Sequence, residues 1–414
     1  MSTMVDDPRL ALERGGWAGL VRLGLRRLRQ GELGPVPVIV GLVVIAAVFQ
    51  LQNPNYLTAL NLTNLLQQIV PVGVLAVGVV PVLLLGEIDL SIGPLSGFCG
   101  GVLAVLSVNH GVPGPVAVLA ALAVGAVVGL CIGLIRTKLQ VPSFIVSLAG
   151  FIGFQGALLY VLGTSGTINL NDSFILALMN RLLPVWLGWV VGLAFVAAYA
   201  LGGLWNRRRR LRAGLLVPPI SLFAVRQAVI ALPVLAVVGL MSTNRGRGVI
   251  PVSGVPLGVV ILLGLVVLFD VICGRTTFGR HLYATGGNAE AAKRAGIPVD
   301  RIRVVVFVLS STLAACGGVL AASRLFAVNQ GSGGGNFTLD AIACAVIGGT
   351  SLFGGRGSVW SALLGALVIG SIANGMDLLA LPSSVKFMIE GGVLLVAVTI
   401  DAVSRRGRQA AGRV

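Results

Sequence analysis

The chain has 414 residues, of which 56% are hydrophobic and 11% are charged, and its mean hydropathy is +0.98. A chain this apolar cannot cover an ordinary surface with polar groups, so the composition excludes a water-soluble domain and predicts that lipid covers most of the molecule. The net charge of +16 does not indicate nucleic-acid binding, because the basic residues lie at the ends of apolar runs rather than on amphipathic faces with interleaved aromatics.

The first 35 residues form a basic segment with four arginines between positions 22 and 29. This arrangement resembles the start of a signal peptide, but no small-residue cleavage site follows the first apolar run, so we predict a retained first helix. We divide the chain into a basic cytoplasmic segment at 1–35, a transmembrane domain at 36–403 and a cytoplasmic tail at 404–414.

Apolar runs then recur along nearly the whole chain, which predicts an all-α, polytopic transmembrane helix bundle of about twelve spans, within a range of about 10 to 14. The candidate spans are residues 36–52, 66–85, 94–108, 115–135, 143–163, 182–204, 220–241, 252–273, 304–325, 338–353, 358–376 and 385–402. The spans 94–108 and 338–353 are short for a bilayer, which suggests that they are tilted, re-entrant or enclosed by neighbouring helices.

The distribution of basic residues predicts the orientation. With both termini in the cytoplasm, most of the 30 Lys and Arg residues fall in inner loops or inner termini. On the outer side fall Arg181, Arg245, Arg247 and Lys386. This bias follows the positive-inside rule and favours cytoplasmic termini.

The first polar segment is Gly86–Gly93, which reads GEIDLSIG and is followed by a helix-interrupting proline. Carboxylates at membrane depth are costly unless they face water, a cation or a polar ligand. We therefore name Glu87, Asp89 and Ser91 as candidate residues of a substrate pathway. The alternative is that Asp89 or Ser91 caps the next helix by accepting hydrogen bonds from its first amides.

A glycine series, Gly125, Gly129 and Gly133, repeats at a spacing of four residues within one predicted span. This spacing places the three glycines on one helix face. Small residues at such a face let helices pack closely in lipid, so we predict a packing role for them rather than a ligand role.

The cytoplasmic loop at 274–303 contains a short predicted helix between Asn288 and Gly296. Asn288 is a suitable N-cap, Glu290 lies in the first turn, Arg294 lies in the last turn, and Gly296 ends the helix. A helix of two turns is marginal in water, so we expect the protein's own inner face or a partner to hold it. A solvated surface turn is the alternative.

The third segment, Asp340–Ser358, is a short apolar helix that ends in a glycine-rich turn. It looks superficially like a phosphate-binding loop, but none of the three lysines of the chain precedes Ser or Thr, so a Walker A motif is absent. We interpret the glycines as a tight turn between packed helices. The cysteines are single and the histidines have no neighbouring ligand residues, so the sequence predicts no metal site and no cofactor.

These segments resemble the permeases of ATP-binding-cassette monosaccharide importers, and most closely the xylose permeases. The resemblance covers about residues 55–402. It is carried by GEIDLSIG at 86–93, VPSFIV at 141–146, YATGGNAEAAKRAG at 283–296 and VIGGTSLFGGRG at 346–357. The block at about 167–250 looks like an extra helix pair of xylose-type permeases that shorter ribose-type permeases lack. The Arg-rich stretch 1–30 has no counterpart in the family.

The resemblance implies a non-catalytic transport subunit in the bacterial plasma (inner) membrane that carries D-xylose or a similar pentose inward. It implies a permease homodimer, an external sugar-binding protein and a separate ATPase subunit that hydrolyses ATP and docks on the inner loops. The coupling helix would then be Asn288–Gly296, with Ala291, Ala292 and Ala295 along one side that fits a groove of the ATPase. The rivals are an ion-coupled secondary transporter and a permease for another sugar, such as ribose or galactose.

Overall fold

The computed structural model describes residues 36–215, 217, 220–246 and 252–410. The predicted basic segment at 1–35 lies outside the described residues, as do the last four residues of the predicted tail. In the described part, almost every element is a helix. The elements are α1 Val36–Gln52, α2 Ala59–Leu84, α3 Ile92–Ala104, α4 Gly114–Lys138, α5 Ser143–Leu162, β1 Thr167–Asn169, α6 Ser173–Asn180, α7 Val185–Arg212, α8 Ile220–Ser242, α9 Leu257–Arg275, α10 Thr277–Gly287, α11 Ala289–Arg294, α12 Val299–Leu325, β2 Ala327–Asn329, α13 Phe337–Ile347, α14 Trp360–Leu378 and α15 Ser383–Ala410.

The all-α membrane architecture is confirmed. Nine helices of the described chain are long and apolar enough to cross a membrane, and shorter apolar helices occur at Pro37–Gln52 and Phe337–Ile347. Each of the twelve predicted spans overlaps a helix, but the helix in the predicted span 338–353 ends at Ile347 and the rest of that span is a turn and loop. The predicted short span 94–108 is longer than expected because a π-helical turn, Val105–Asn109, extends α3. The number of crossings and the cytoplasmic location of both termini stay predictions.

The chain divides into two compact units, and residues 182–255 belong to the smaller one. Its helices α7 and α8 pack closely because α7 presents glycines at the contact. A methyl group at Gly192 would lie 2.9 Å from Val238, and one at Gly203 would lie 2.7 Å from Phe223. The loop that follows α8 is closed by Arg245, whose buried guanidinium donates to the carbonyl of Gly254 at 2.9 Å.

The larger unit comprises residues 35–181 and 256–401, and its centre is helix α2. Every residue of α2 from Ile69 to Leu84 is buried, as expected of a helix that is apolar on all sides. Two prolines, Pro71 and Pro81, lie inside α2. Prolines are tolerated in membrane helices because neighbouring groups can satisfy the carbonyls that they leave free.

Helices α4 and α12 approach each other at the predicted glycine face. A methyl group at Gly125 or Gly129 would lie 2.7 or 2.5 Å from a backbone carbonyl of α12, and one at Gly133 would lie 2.9 Å from the Cα atom of Val304. The packing role of the three glycines is therefore confirmed.

The two short strands form one antiparallel pair, in which Thr167 faces Asn329 and Asn169 faces Ala327. The pair joins the segment after α5 to the segment after α12. Both segments lie on the predicted outer side, so the pairing agrees with the predicted alternation of the intervening helices.

Candidate functional site

The polar segment 85–91 is an extended connection between α2 and α3. It leaves α2 through Gly86, whose φ of 74° requires a residue without a Cβ atom. Non-helical backbone inside a membrane bundle must find hydrogen-bond partners within the protein. Here the Ile88 amide donates to Ser143 Oγ at 3.4 Å, and the Leu90 carbonyl accepts from Thr338 Oγ1 at 3.2 Å. Helices α5 and α13 therefore hold the segment from two sides.

Glu87 binds two arginines from other helices. Arg136 Nε, near the end of α4, donates to both carboxylate oxygens at 3.0 and 3.1 Å, and its Nη2 lies 2.9 Å from Oε1. Arg303, near the start of α12, places Nε 3.2 Å from the same oxygen without directing its hydrogen for a hydrogen bond. The carboxylate, 9% exposed, thus ties the ends of three helices together. Charged hydrogen bonds of this kind are strong, and removing one partner leaves the others poorly compensated.

Asp89 and Ser91 form a local turn ahead of α3. Asp89 Oδ1 accepts from the Ser91 amide at 2.9 Å and from the Ser91 hydroxyl at 2.6 Å, and both residues are buried. This is the geometry of an Asx turn, which orients the chain before a helix. It is not the predicted cap, because among the described residues Asp89 accepts only from Ser91, which precedes α3, and the Ser91 side chain makes no cap hydrogen bond. The Gly93 amide at the start of α3 donates to Thr338 Oγ1 instead. The role of Glu87, Asp89 and Ser91 in a substrate pathway stays a prediction, and the structure shows that all three are enclosed by protein.

The three glycine-containing motifs meet at one place, which we call the glycine junction and define as Gly86, Gly286 and Gly354-Gly355. The Gly355 amide donates to the Leu84 carbonyl at 2.8 Å. A methyl group at Gly354 would lie 2.8 Å from the carbonyl oxygen of Gly286 and 2.9 Å from the amide of Gly86. A side chain at Gly286 or Gly354 would force the backbones apart, so the prediction of a tight turn between packed helices is confirmed for the third motif.

Tyr283 adds a side-chain link to the glycine junction, because its hydroxyl donates to the Gly357 carbonyl at 2.9 Å. Burial raises the pKa of the Tyr283 phenol above its ordinary value. The hydroxyl therefore stays protonated at physiological pH and keeps donating to the carbonyl.

The short helix forms where the sequence predicts it, as α11. Asn288 Oδ1 accepts from the Ala291 amide at 2.9 Å, which confirms the N-cap. At the other end, Gly296 has a φ of 82°, its amide donates to Lys293 O, and the Ile297 amide donates to Ala292 O, both at 3.0 Å. These two bonds form a Schellman motif, so the predicted stop at glycine is confirmed.

The side chains of α11 do not all face outward. Glu290, Ala291, Arg294, Ala295 and Gly296 are exposed, whereas Ala292 is buried. Of the three alanines expected to share one partner-facing side, Ala292 is therefore not accessible in this chain, and the docking role of the helix stays a prediction. Ala292 is 5% exposed, so the protein's own residues cover it. Ala291 and Ala295, four residues apart on one side, remain the candidates for a docking contact.

Two polar contacts were not predicted from the sequence: the ion pairs of Glu87 with its two arginines, and the hydrogen bond between Asn336 and Glu390. Arg136 and Arg303 counted only as inner-side charges, although a lone carboxylate near an inner-side arginine is a signal for such a pair. The hydrogen bond from Asn336 to Glu390, at 3.1 Å, joins α15 to the residue just ahead of α13 and was also missed. Both polar residues lie in or beside predicted spans, where they stand out from the apolar background.

Comparisons with known proteins agree with these motifs. Residues 61–398 match the family described as branched-chain amino acid transport system / permease component. The xylose transport system permease protein of Haemophilus influenzae is 37% identical over 92% of this chain and 99% of its own length. That of Escherichia coli K12 is 36% identical over 95% of each chain. The ribose import permease protein of Bacillus subtilis is 30% identical over 89% of this chain and 92% of its own length. No solved structure gives a match.

Proposed function

We infer that this chain, which belongs to the permease-component family of branched-chain amino acid transport systems and whose relatives include sugar permeases, carries a pentose, D-xylose first, through the membrane. The chain is a multi-pass protein of the bacterial inner membrane. In this proposal it is the non-catalytic subunit of an ATP-driven importer, and a partner ATPase hydrolyses ATP.

The observation that carries the choice of xylose is the similarity over nearly the full chain. The two xylose permeases are 36% and 37% identical over more than nine tenths of this chain, against 30% for the ribose permease. The helix pair α7 and α8, which resembles the extra pair of xylose-type permeases, points the same way.

The geometry supports a route for coupling. In the proposal, α11 docks on the ATPase through its exposed side, and α10 carries the movement to the glycine junction. Gly286 there touches the end of α2, where a methyl group would collide with the Leu84 carbonyl. From that point Glu87 engages α4 and α12 through Arg136 and Arg303. Contacts this close transmit a rigid-body shift rather than absorb it.

The proposed assembly contains two copies of this chain, an ATP-binding-cassette ATPase and an external sugar-binding protein, within membrane lipid. Loaded binding protein docks outside, ATP binding draws the inner loops together, and the sugar passes without covalent change.

The test is uptake of radiolabelled D-xylose by vesicles that contain this chain with the ATPase and binding protein encoded beside it. We expect uptake that needs ATP, survives a protonophore and falls when unlabelled D-xylose competes but not when equal D-ribose does. Uptake that a protonophore abolishes would instead identify an ion-coupled transporter. Competition by ribose alone would replace xylose as the substrate.

A further inference from the structure

Four partly exposed polar residues of the larger unit lie near one another. Asn336 Nδ2, just ahead of α13, donates to Glu390 Oε2 at 3.1 Å. Asp340 lies one helical turn after Asn336, since its amide donates to the Asn336 carbonyl at 2.8 Å. Gln155 of α5 lies beside Gly334, with Nε2 3.7 Å from the position of a Cβ atom there. We call Gln155, Asn336, Asp340 and Glu390 the polar stripe.

The polar stripe lies deep in the bilayer. Gln155 is about ten residues from the outer end of its span at Ser165, which is about 15 Å at a helical rise of about 1.5 Å per residue. The segment that leads to Asn336 packs on Gly97, about twelve residues or about 18 Å from the outer end of α3. Because the hydrocarbon core is about 30 Å thick, both positions are near its middle.

The polar stripe is neither buried nor fully bonded. All four residues are partly exposed in this chain. Among the described residues, Glu390 receives one hydrogen bond from Asn336, and the structure gives the Gln155 amide and the Asp340 carboxylate no side-chain hydrogen bond. Polar and ionisable groups at this depth do not face lipid but a protein interior or a water-filled path. This side of the molecule therefore borders another protein surface, water or a ligand rather than lipid.

We propose that the polar stripe lines the sugar route, where the hydroxyls of a neutral monosaccharide exchange hydrogen bonds with Gln155, Asn336, Asp340 and Glu390. The inference rests on the proposed function and adds to it the place where the permease contacts its substrate. An amide offers both donors and an acceptor, and carboxylates accept from hydroxyls, so the set suits a polyol.

The surroundings of the polar stripe suit weak and reversible contact with a sugar rather than tight binding. The large apolar side chains of Leu339 and Phe387 are exposed next to it in sequence and offer contact to the C–H faces of a sugar ring. Four hydrogen-bonding residues with few fixed partners hold a polyol weakly enough for release, as conduction through a membrane requires.

Water access at the polar stripe is the first test. In the complete importer in vesicles, with Cys131→Ser as background, Gln155→Cys should react with a charged, membrane-impermeant thiol reagent during ATP turnover, and D-xylose with binding protein should slow that reaction. Gly153→Cys is the matched control, because it lies at nearly the same depth on the other side of α5 in open space. We expect it to stay unlabelled.

Absence of labelling at position 155 would mean that Gln155 faces a dry contact with another protomer or lipid. Equal labelling at both positions would mean that water access is not specific to the face of α5 that carries Gln155. Either result overturns the proposal.

Transport is the second test. Gln155→Leu should lower the rate of ATP-driven D-xylose uptake about threefold to tenfold, the effect of removing one net hydrogen bond, while membrane abundance and ATPase binding stay unchanged. Gln155→Asn should recover part of the rate, since it keeps the amide. If the wild-type chain transports D-xylose and Gln155→Leu transports it at the same rate, the polar stripe does not line the sugar route, while the proposed function still holds. If the wild-type chain shows no ATP-driven uptake while Glu390→Gln abolishes a cation-driven uptake, the proposed function fails and the stripe is a cation site.

Discussion

Two neighbouring stretches of the loop predicted to lie on the inner side differ sharply in how the protein holds them. Gly286, near the end of α10, belongs to the glycine junction, where backbones touch and a methyl group has no room. Residues 289–296 comprise α11 and its C-terminal cap, and most of their side chains are exposed. This stretch is held by the two caps and by the buried Ala292. The first stretch is therefore held by close backbone contacts, whereas the second leaves most of its side chains accessible to a partner.

The largest expected effect comes from adding volume at the glycine junction. Gly286→Ala places a methyl group against the Leu84 carbonyl and close to the Gly355 amide, at a distance of 2.9 Å from the latter. Neither neighbour is a flexible side chain, so the backbones must separate, at a cost of about 1 to 3 kcal/mol. We expect sugar-stimulated ATP hydrolysis to be lost in purified complexes.

The matched control is Gly287→Ala, the next residue, where a methyl group would have nothing within 4 Å. It should keep normal hydrolysis. If the two variants behave alike, the close packing at the junction has no part in coupling.

Adding volume on the exposed side of α11 should weaken ATPase binding without disturbing the packing of the permease itself. Ala291→Trp enlarges an exposed side chain, so the permease should reach the membrane normally but lose at least about tenfold in ATPase binding, the scale of a lost interface contact. Co-purification of the ATPase, set against membrane abundance, measures this. Ala213→Trp, in another exposed inner loop, is the control and should bind normally. Equal binding by both variants would reduce α11 to a surface turn.

Neutralising the carboxylate beside the junction should lower stability rather than docking. Glu87→Gln leaves Arg136 and Arg303 without their shared anion, and since the arginines are 20% exposed we expect a loss of about 1 to 3 kcal/mol. The thermal unfolding midpoint in detergent should fall. Asp300→Asn removes the other partner of Arg303, a carboxylate 65% exposed and 3.8 Å away, and should leave the midpoint nearly unchanged. A similar drop in both variants would mean that Glu87 has no special place in the cluster.

The smallest effect should come from the cap of α11. Asn288→Ala removes the hydrogen bond to the Ala291 amide, worth about 1 kcal/mol, so the helix frays and ATPase affinity falls about fivefold. Asn288→Ser should restore binding because serine is an equivalent N-cap. A titration of labelled ATPase on vesicles measures both. Full affinity in Asn288→Ala would show that the partner itself orders this helix.

Local features of the fold were predictable because neighbouring residues decide them. Apolar runs predicted the helices, and Asn288 and Gly296 predicted the ends of α11. The four-residue glycine spacing predicted the face on which α4 packs. The burial of Ala292 was not predictable, because periodicity places a residue on a helix face but does not say which faces the rest of the protein covers.

The sequence by itself determined that this protein is a bundle of membrane-spanning helices with a short capped helix in a connecting loop, because hydropathy, capping and glycine spacing act over a few residues. Only the tertiary structure decided that Gly86, Gly286 and Gly354 meet, that Glu87 binds Arg136 and Arg303, and that Gln155 lies beside the segment ahead of α13. These contacts join residues tens to hundreds of positions apart. They depend on how the helices pack, and no local pattern in the chain records that packing.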